Sequence, residues 1–228
     1  MDALIFDFDG VVVDSEPVHL ATFQQVLSLE GITMTRDDYY EKYLGFDDHD
    51  CFKAVAADHE TVFTDAKVRE LTEAKTKLVL EAFGTSIQAL GGAVELIRQT
   101  ADGGLPMAIC SGALRQEIEL ASQAIGVRDC FQVIVAAEDV HKGKPDPEGY
   151  RLALLQLSRY APTGLEPSRT VVVEDSPAGI EAAGALGMKV LAVSTSYPAS
   201  QLTAADRIIE SLVEVTPADL EEMVRQGT

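Results

Sequence analysis

Cysteine is scarce in this 228-residue chain: Cys51, Cys110 and Cys130 are odd in number, widely spaced and without any C-x-x-C pair. That argues against a disulfide framework or a cysteine zinc site, and points to small buried thiols in a reducing compartment. Basic residues are outnumbered, 18 Lys and Arg against 37 Asp and Glu, for a net charge of −19. So acidic a chain is a poor partner for nucleic acid or an anionic membrane. It also disfavours an anionic substrate, unless a metal and a few lysines reverse the field locally. Long apolar runs are missing as well, none approaching the roughly 20 residues of a membrane span. The first apolar run is broken by Asp7 and Asp9 and has no basic segment before it, unlike a secretory signal. Internal repeats and low-complexity tracts are absent too. The expectation is a cytoplasmic monomer with no nucleic-acid or membrane partner.

What is present is ordinary for a globular chain: 46% apolar and 24% charged residues, enough to bury a real core. From Pro17 to Gly84 the apolar residues recur at helical spacing and no strand is evident. Leu20 to Leu27 make one helix, Thr35 caps a second, Gly45 to Asp50 read as a polar loop, and Asp65 to Phe83 form a long helix closed by Gly84. From Gly91 onward short apolar runs alternate with helical segments. The runs are Met107–Cys110, Val133–Ala136, Thr170–Val173 and Val190–Val193, with Ile208-Ile209 as a short edge strand. Asp146 is the expected cap, and Pro147 the first residue, of the helix after Lys144. This rhythm predicts an α/β fold, a doubly wound parallel sheet with an all-helical insertion. The expected boundaries are residues 1–14 and 86–228 for the core and 15–85 for the insertion, with hinges at 15–16 and 84–88.

The chemistry-bearing residues fall at strand ends. Ala3–Phe6 reads as a buried strand followed by Asp7 and Asp9, two residues apart and therefore able to share one site. Taken alone, the pair fits an acidic turn as well as a functional site. Ser111 follows the second run, and Glu174 and Asp175 follow a later one. In a parallel sheet those ends converge on the edge where ligands bind. Carboxylates in this number call for a hard cation with oxygen ligands, and Mg²⁺ suits them. Lys144, Ser111 and the amide of Gly112 add charge and hydrogen-bond donors, which together compose a phosphoryl-transfer site.

Four segments carry a resemblance: DFDGVVVDSE at 7–16, ICSGALRQEIE at 109–119, GKPDPEGY at 143–150 and VVVEDSPAGIEAA at 171–183. In this order they resemble the haloacid dehalogenase-like superfamily, in the subgroup whose helical cap is inserted after the first motif. The resemblance implies a Rossmann-like core and a phosphatase acting on a small phosphorylated metabolite with Mg²⁺. It makes Asp7 the nucleophile that forms an aspartyl-phosphate, and Asp9 the general acid and then base. It makes Asp7, the backbone carbonyl of Asp9 and Asp175 the metal ligands, with Glu174 behind them. Ser111, Gly112 and Lys144 would hold the phosphoryl group, Lys144 being preferred to Lys142 because it directly precedes proline. Asp47, Asp48 and His49, after Gly45, lie where relatives read the substrate. His19 lies where relatives have a hinge histidine, and a packing or hinge role, not a catalytic one, is expected of it. His49, His59 and His141 show no paired metal-ligand spacing and are expected in solvent, as is at least one of Lys75 and Lys77.

Two other functions compete. A sugar phosphomutase resembling β-phosphoglucomutase shares the core and the phospho-aspartate, but such relatives carry an arginine soon after the cap glycine. Here Phe46, Asp47, Asp48 and His49 follow Gly45. A non-enzymatic phospho-acceptor domain would place its acid pair first and its acceptor in a middle strand, and would lack the insertion.

Overall fold

The computed structural model describes residues 1–161 and 164–226. The chain divides into two compact units, Met1–Asp14 with Ile87–Thr228, and Ser15–Ser86. The first unit begins with β1 (Ala3–Phe6) and β2 (Val13–Asp14). The second holds α1 (Glu16–Ser28), α2 (Arg36–Asp38) running into a π-helical turn at Tyr39–Tyr43, α3 (Asp48–Asp58) and α4 (Asp65–Thr85). The first unit then resumes with β3 (Gln88–Ala89), α5 (Ala93–Asp102), β4 (Met107–Cys110) and α6 (Arg115–Ala124). It continues through β5 (Val133–Val135), α7 (Glu148–Leu157), β6 (Thr170–Glu174) and α8 (Pro177–Gly184). It ends with β7 (Lys189–Val193), β8 (Arg207–Ile209) and α9 (Pro217–Gln226).

Six strands form one parallel sheet in the order β5-β4-β1-β6-β7-β8. The first strand of the chain is thus internal, with Phe6 in register with Ile109 on one side and Val173 on the other. All four residues of β1 are buried, as a strand covered on both faces requires. Ala3 and Ile5 join the apolar cluster built with Ala153 and Leu157 of α7 and Ile180 of α8. Leu4 and Phe6 alternate to the opposite face, where α9 packs against β6 and α5 against α9. The architecture is the doubly wound α/β fold expected from the sequence. After β1 the chain runs out through β4 and β5, then returns across β1 to β6. That reversal opens a crevice at the carboxyl ends of these strands.

The helical unit has its own core, in which Phe23, Val26 and Leu27 of α1 meet Phe52 and Val55 of α3 and Val68 and Leu71 of α4. Thr35 caps α2 as expected, its hydroxyl accepting from the Asp38 amide at 3.1 Å. Thr64 does the same for α4, accepting from Lys67.

Several boundaries differ from the sequence reading for local reasons. Residues 48–50 are not loop: the Asp47 carboxylate accepts from the Asp50 amide at 2.8 Å and starts α3 directly. Pro147, not Asp146, occupies the cap position of α7, while Asp146 accepts from the Glu148 amide at 3.0 Å. The helix α4 runs through Gly84 to Thr85. The short antiparallel pair β2–β3 had no periodic signal; it joins Val13 to Ala89 and Asp14 to Gln88. Gln88, expected in a hinge, is therefore held within the sheeted unit.

Candidate active site

The turn after β1 is built around Gly10. Its φ of +73° is a left-handed conformation that glycine tolerates. A Cβ there would stand 1.9 Å from Asp175 Oδ2 and 2.6 Å from Ser196 Oγ. Only glycine lets the turn after β1 and the end of β6 come this close. The Val12 and Val13 amides donate back to the Phe8 carbonyl, and the Gly10 amide to the Val13 carbonyl, so the turn is closed by its own backbone.

Five sequence-predicted residues meet at this edge: Asp7 and Asp9 after β1, Ser111 after β4, Asp175 after β6, and Lys144 from the segment ahead of α7. Lys144 Nζ donates to Asp7 Oδ1 at 2.6 Å and to Glu174 Oε1 at 2.7 Å. Its ammonium also lies 5.1 Å from the centroid of the Tyr150 ring. Ser111 Oγ lies 3.4 Å from Asp9 Oδ2 and accepts from the Ala113 amide at 2.9 Å, so it shapes its own loop as well as facing the acid. Gly112 follows in that loop with open space above its Cα. Lys142, the competing lysine, lies outward, 4.0 Å from Asp146.

Glu174 is wholly buried and fully engaged. Oε1 accepts from Lys144 and from the Tyr150 hydroxyl at 2.7 Å; Oε2 accepts from the Asp175 and Ser176 amides and the Ser176 hydroxyl, at 2.9–3.0 Å. A Cβ on Gly179 would fall 1.6 Å from Glu174 Oε1, so α8 must carry glycine where it passes this carboxylate. Burial opposes the charge of Glu174, but Lys144 and these donors outweigh it and hold its pKa below the ordinary value. Burial likewise opposes the charge on Lys144, yet Asp7 and Glu174 keep it protonated. Asp7 is pushed well upward by burial and by repulsion from Glu174 and Asp175, against the pull of Lys144. Asp175 rises to about 7, mainly through burial.

Carboxylate oxygens of Asp7, Glu174 and Asp175 lie within 4.8 Å of one another. Against these three acids stands one lysine. The surplus negative charge and the all-oxygen donor set fit a hard divalent cation. Glu174 has its lone pairs committed, which leaves the carboxylates of Asp7 and Asp175 as the ones able to hold such a cation. The described contacts of the Asp175 carboxylate fall on Oδ2, which accepts from the Ser196 hydroxyl and has the Thr195 hydroxyl 3.4 Å away. Those two hydroxyls, together with Tyr150, were missed at the sequence level. A Ser-Thr-Ser run straight after an apolar strand in this fold was the available signal.

Asp47, His49, His19 and Lys75 belong to the helical unit. Asp47 is occupied as the α3 cap and His49 Nδ1 lies 3.2 Å from Asp50. Lys77 is exposed, whereas Lys75 is 1% exposed. Lys75 donates to Asp48 Oδ1 at 2.6 Å and to His19 Nδ1 at 3.0 Å, and sits 4.3 Å from the Phe23 centroid. His19 packs edge-on to Phe83, and burial together with Lys75 lowers its pKa from 6.5 to about 3.

The model of the haloacid dehalogenase-like hydrolase family matches residues 4–193, and the chain belongs to that family. It is 30% identical over 212 residues to validoxylamine A 7'-phosphate phosphatase of Streptomyces hygroscopicus subsp. limoneus, covering 92% of this chain and 94% of that protein. Among solved structures, CbbY from Rhodobacter sphaeroides in complex with phosphate superposes with a TM-score of 0.84 at 24% identity, covering 97% of this chain and 99% of that one. A β-phosphoglucomutase from Clostridium difficile gives 0.82 at 18% identity, covering 100% and 98%. At these identities the two structures speak to the fold alone.

Two outcomes follow from the electrostatics. Lys144→Ala leaves Asp7 and Glu174 buried without their cation, and should cost the metal-free protein about 3–5 kcal/mol in chemical denaturation. In the helical unit, the unfolded chain protonates His19 below about pH 6.5 while the folded unit resists until about pH 3. Stability therefore falls as pH drops through that window, by about 2 kcal/mol at pH 5. His19→Gln should flatten the slope between pH 7.5 and 5; an unchanged slope would assign it to other groups.

Proposed function

We propose that the protein is a Mg²⁺-dependent phosphatase that hydrolyses the phosphate monoester of a small metabolite through an aspartyl-phosphate. The observation that carries this reading is Lys144 bridging Asp7 and Glu174 beside Asp175, with Asp9 and Ser111 on the neighbouring loops. Family membership and similarity to a phosphatase over nearly the whole length support it.

In the first step an Asp7 carboxylate oxygen attacks phosphorus, and the bond from phosphorus to the ester oxygen breaks. Asp9 gives its proton to the departing alkoxide, releasing the alcohol. In the second step Asp9, now a carboxylate, takes a proton from water as the water oxygen attacks phosphorus. The acyl-phosphate bond then breaks, regenerating Asp7 and releasing inorganic phosphate. Lys144 offsets the charge of Asp7 and of the transferring group, while Ser111 and the Gly112 amide donate to phosphoryl oxygens. Mg²⁺ held by the Asp7 and Asp175 carboxylates and the Asp9 carbonyl would neutralise the phosphoryl charge and orient it for in-line attack. From the helical unit, Asp47 and His49 are the candidates for contact with the organic part of the substrate.

A sugar phosphomutase would use the same core, so the absence of arginine among Phe46, Asp47, Asp48 and His49 is what favours hydrolysis. A panel of sugar phosphates and other phosphate esters should release inorganic phosphate with repeated turnover. Isomerised sugar phosphate with little free phosphate would replace phosphatase by mutase, and a stable phosphoprotein without turnover would point to signalling. Asp7→Asn should lower phosphate release by at least roughly a thousandfold with the circular dichroism spectrum unchanged. Exhaustive chelation should silence the protein and Mg²⁺ restore it; activity that survives chelation removes the metal from the mechanism.

A further inference from the structure

The loop after β7 contributes to the site without supplying a catalytic residue. Thr195 and Ser196 leave the end of β7 beside the ends of β1 and β6. The Ser196 hydroxyl donates to Asp175 Oδ2, and the Thr195 hydroxyl lies 3.4 Å from the same oxygen while donating to the Gly10 carbonyl. The Gly10 Cα closes the other side, since a Cβ there would overlap Asp175 Oδ2. Asp175 is 3% exposed, so its carboxylate has little room to rotate. The Ser196 hydroxyl and the glycine thus occupy one oxygen of the carboxylate, with the Thr195 hydroxyl beside it, and leave Oδ1 for a ligand.

We propose that Thr195 and Ser196 are positioning residues that restrict Asp175 to one-oxygen ligation and thereby select a small octahedral cation over Ca²⁺. The physical basis is the difference between the ions. Mg²⁺ takes six ligands in a near-ideal octahedron and accepts single carboxylate oxygens, whereas Ca²⁺ takes six to eight and readily uses both oxygens of a carboxylate. Hydrogen-bond partners behind a metal ligand fix its orientation, and their loss weakens metal binding by about 10–100-fold. A carboxylate pinned through Oδ2 cannot swing both oxygens onto a larger ion. This inference rests on the assignment of Asp175 as a metal ligand in the function proposed above.

Mn²⁺ binding followed by electron paramagnetic resonance, with Mg²⁺ and Ca²⁺ as competitors, tests it without reference to turnover. In Ser196→Ala and in Thr195→Val/Ser196→Ala, Mg²⁺ should bind about tenfold more weakly while Ca²⁺ holds or gains, so the Mg²⁺/Ca²⁺ preference falls at least about tenfold. Ser196→Thr, which keeps the hydroxyl, should retain the wild-type preference. A loop with a merely structural part would weaken both ions together, and an unchanged ratio in both variants overturns the proposal. Asp175→Asn in the same assay separates the two levels. If it abolishes binding while the Ser196 variants keep the wild-type ratio, the metal site stands and the positioning role falls. If it binds Mn²⁺ as the wild type does, the metal assignment fails and this inference falls with it.

Discussion

One ammonium group decides whether this site can exist. Asp7 and Glu174 lie on adjacent parallel strands and would repel across the sheet edge; Lys144 Nζ, at 2.6 and 2.7 Å, stands between them. Its own burial is costly, and the Tyr150 ring on one side and the two carboxylates on the other compensate. The partners divide into fixed and available groups. Glu174 accepts five hydrogen bonds and behaves as a strut, while Asp7 keeps its second oxygen for chemistry. This division explains why α8 must carry Gly179 where it passes Glu174: any side chain would displace the strut on which Lys144 rests.

The parallel sheet makes the arrangement possible at long sequence separation. Asp7 and Glu174 are brought side by side because Phe6 and Val173 pair in register, and Ser111 follows because Ile109 pairs with Phe6 on the other side. Three strand ends are thereby fixed by backbone hydrogen bonds, independently of any side-chain contact. Loops alone would hold such a constellation less tightly, since each would have to lose its own conformational freedom. The loop after β7 then closes the edge, reaching both the Gly10 carbonyl and Asp175.

The parts legible in the sequence were those written in short-range pattern. Apolar runs of three to five residues marked the central strands, Pro and Gly marked the helix ends, and acids after strands marked the edge. The parts that escaped depend on tertiary geometry. The β2–β3 pair is two residues long on each side, too short to show alternation. Asp47 read as loop because a capping aspartate and a loop aspartate are the same letter until the Asp50 amide is placed. Tyr150 sits at a helical core position, and only the structure shows its hydroxyl turned to Glu174. Thr195 and Ser196 lie in a Ser-Thr-Ser run after a strand, and only the structure shows their hydroxyls turned to the Gly10 carbonyl and Asp175.

The chain buries a lysine twice, and the contrast bears on where a cation is needed. Lys75 meets one carboxylate, Asp48, one imidazole held neutral and one aromatic face, so its charge is balanced locally. Lys144 meets two carboxylates with a third, Asp175, within ligand distance, and burial and mutual repulsion push the carboxyls of Asp7 and Asp175 upward in pKa. The first arrangement is complete in itself. The second is complete only when another positive charge enters, and the substrate phosphoryl group, itself an anion, makes that need greater. A site that must attract an anion into a cluster of acids cannot do so with one lysine. In a chain of net charge −19, a local reversal of field is what the proposed metal would supply.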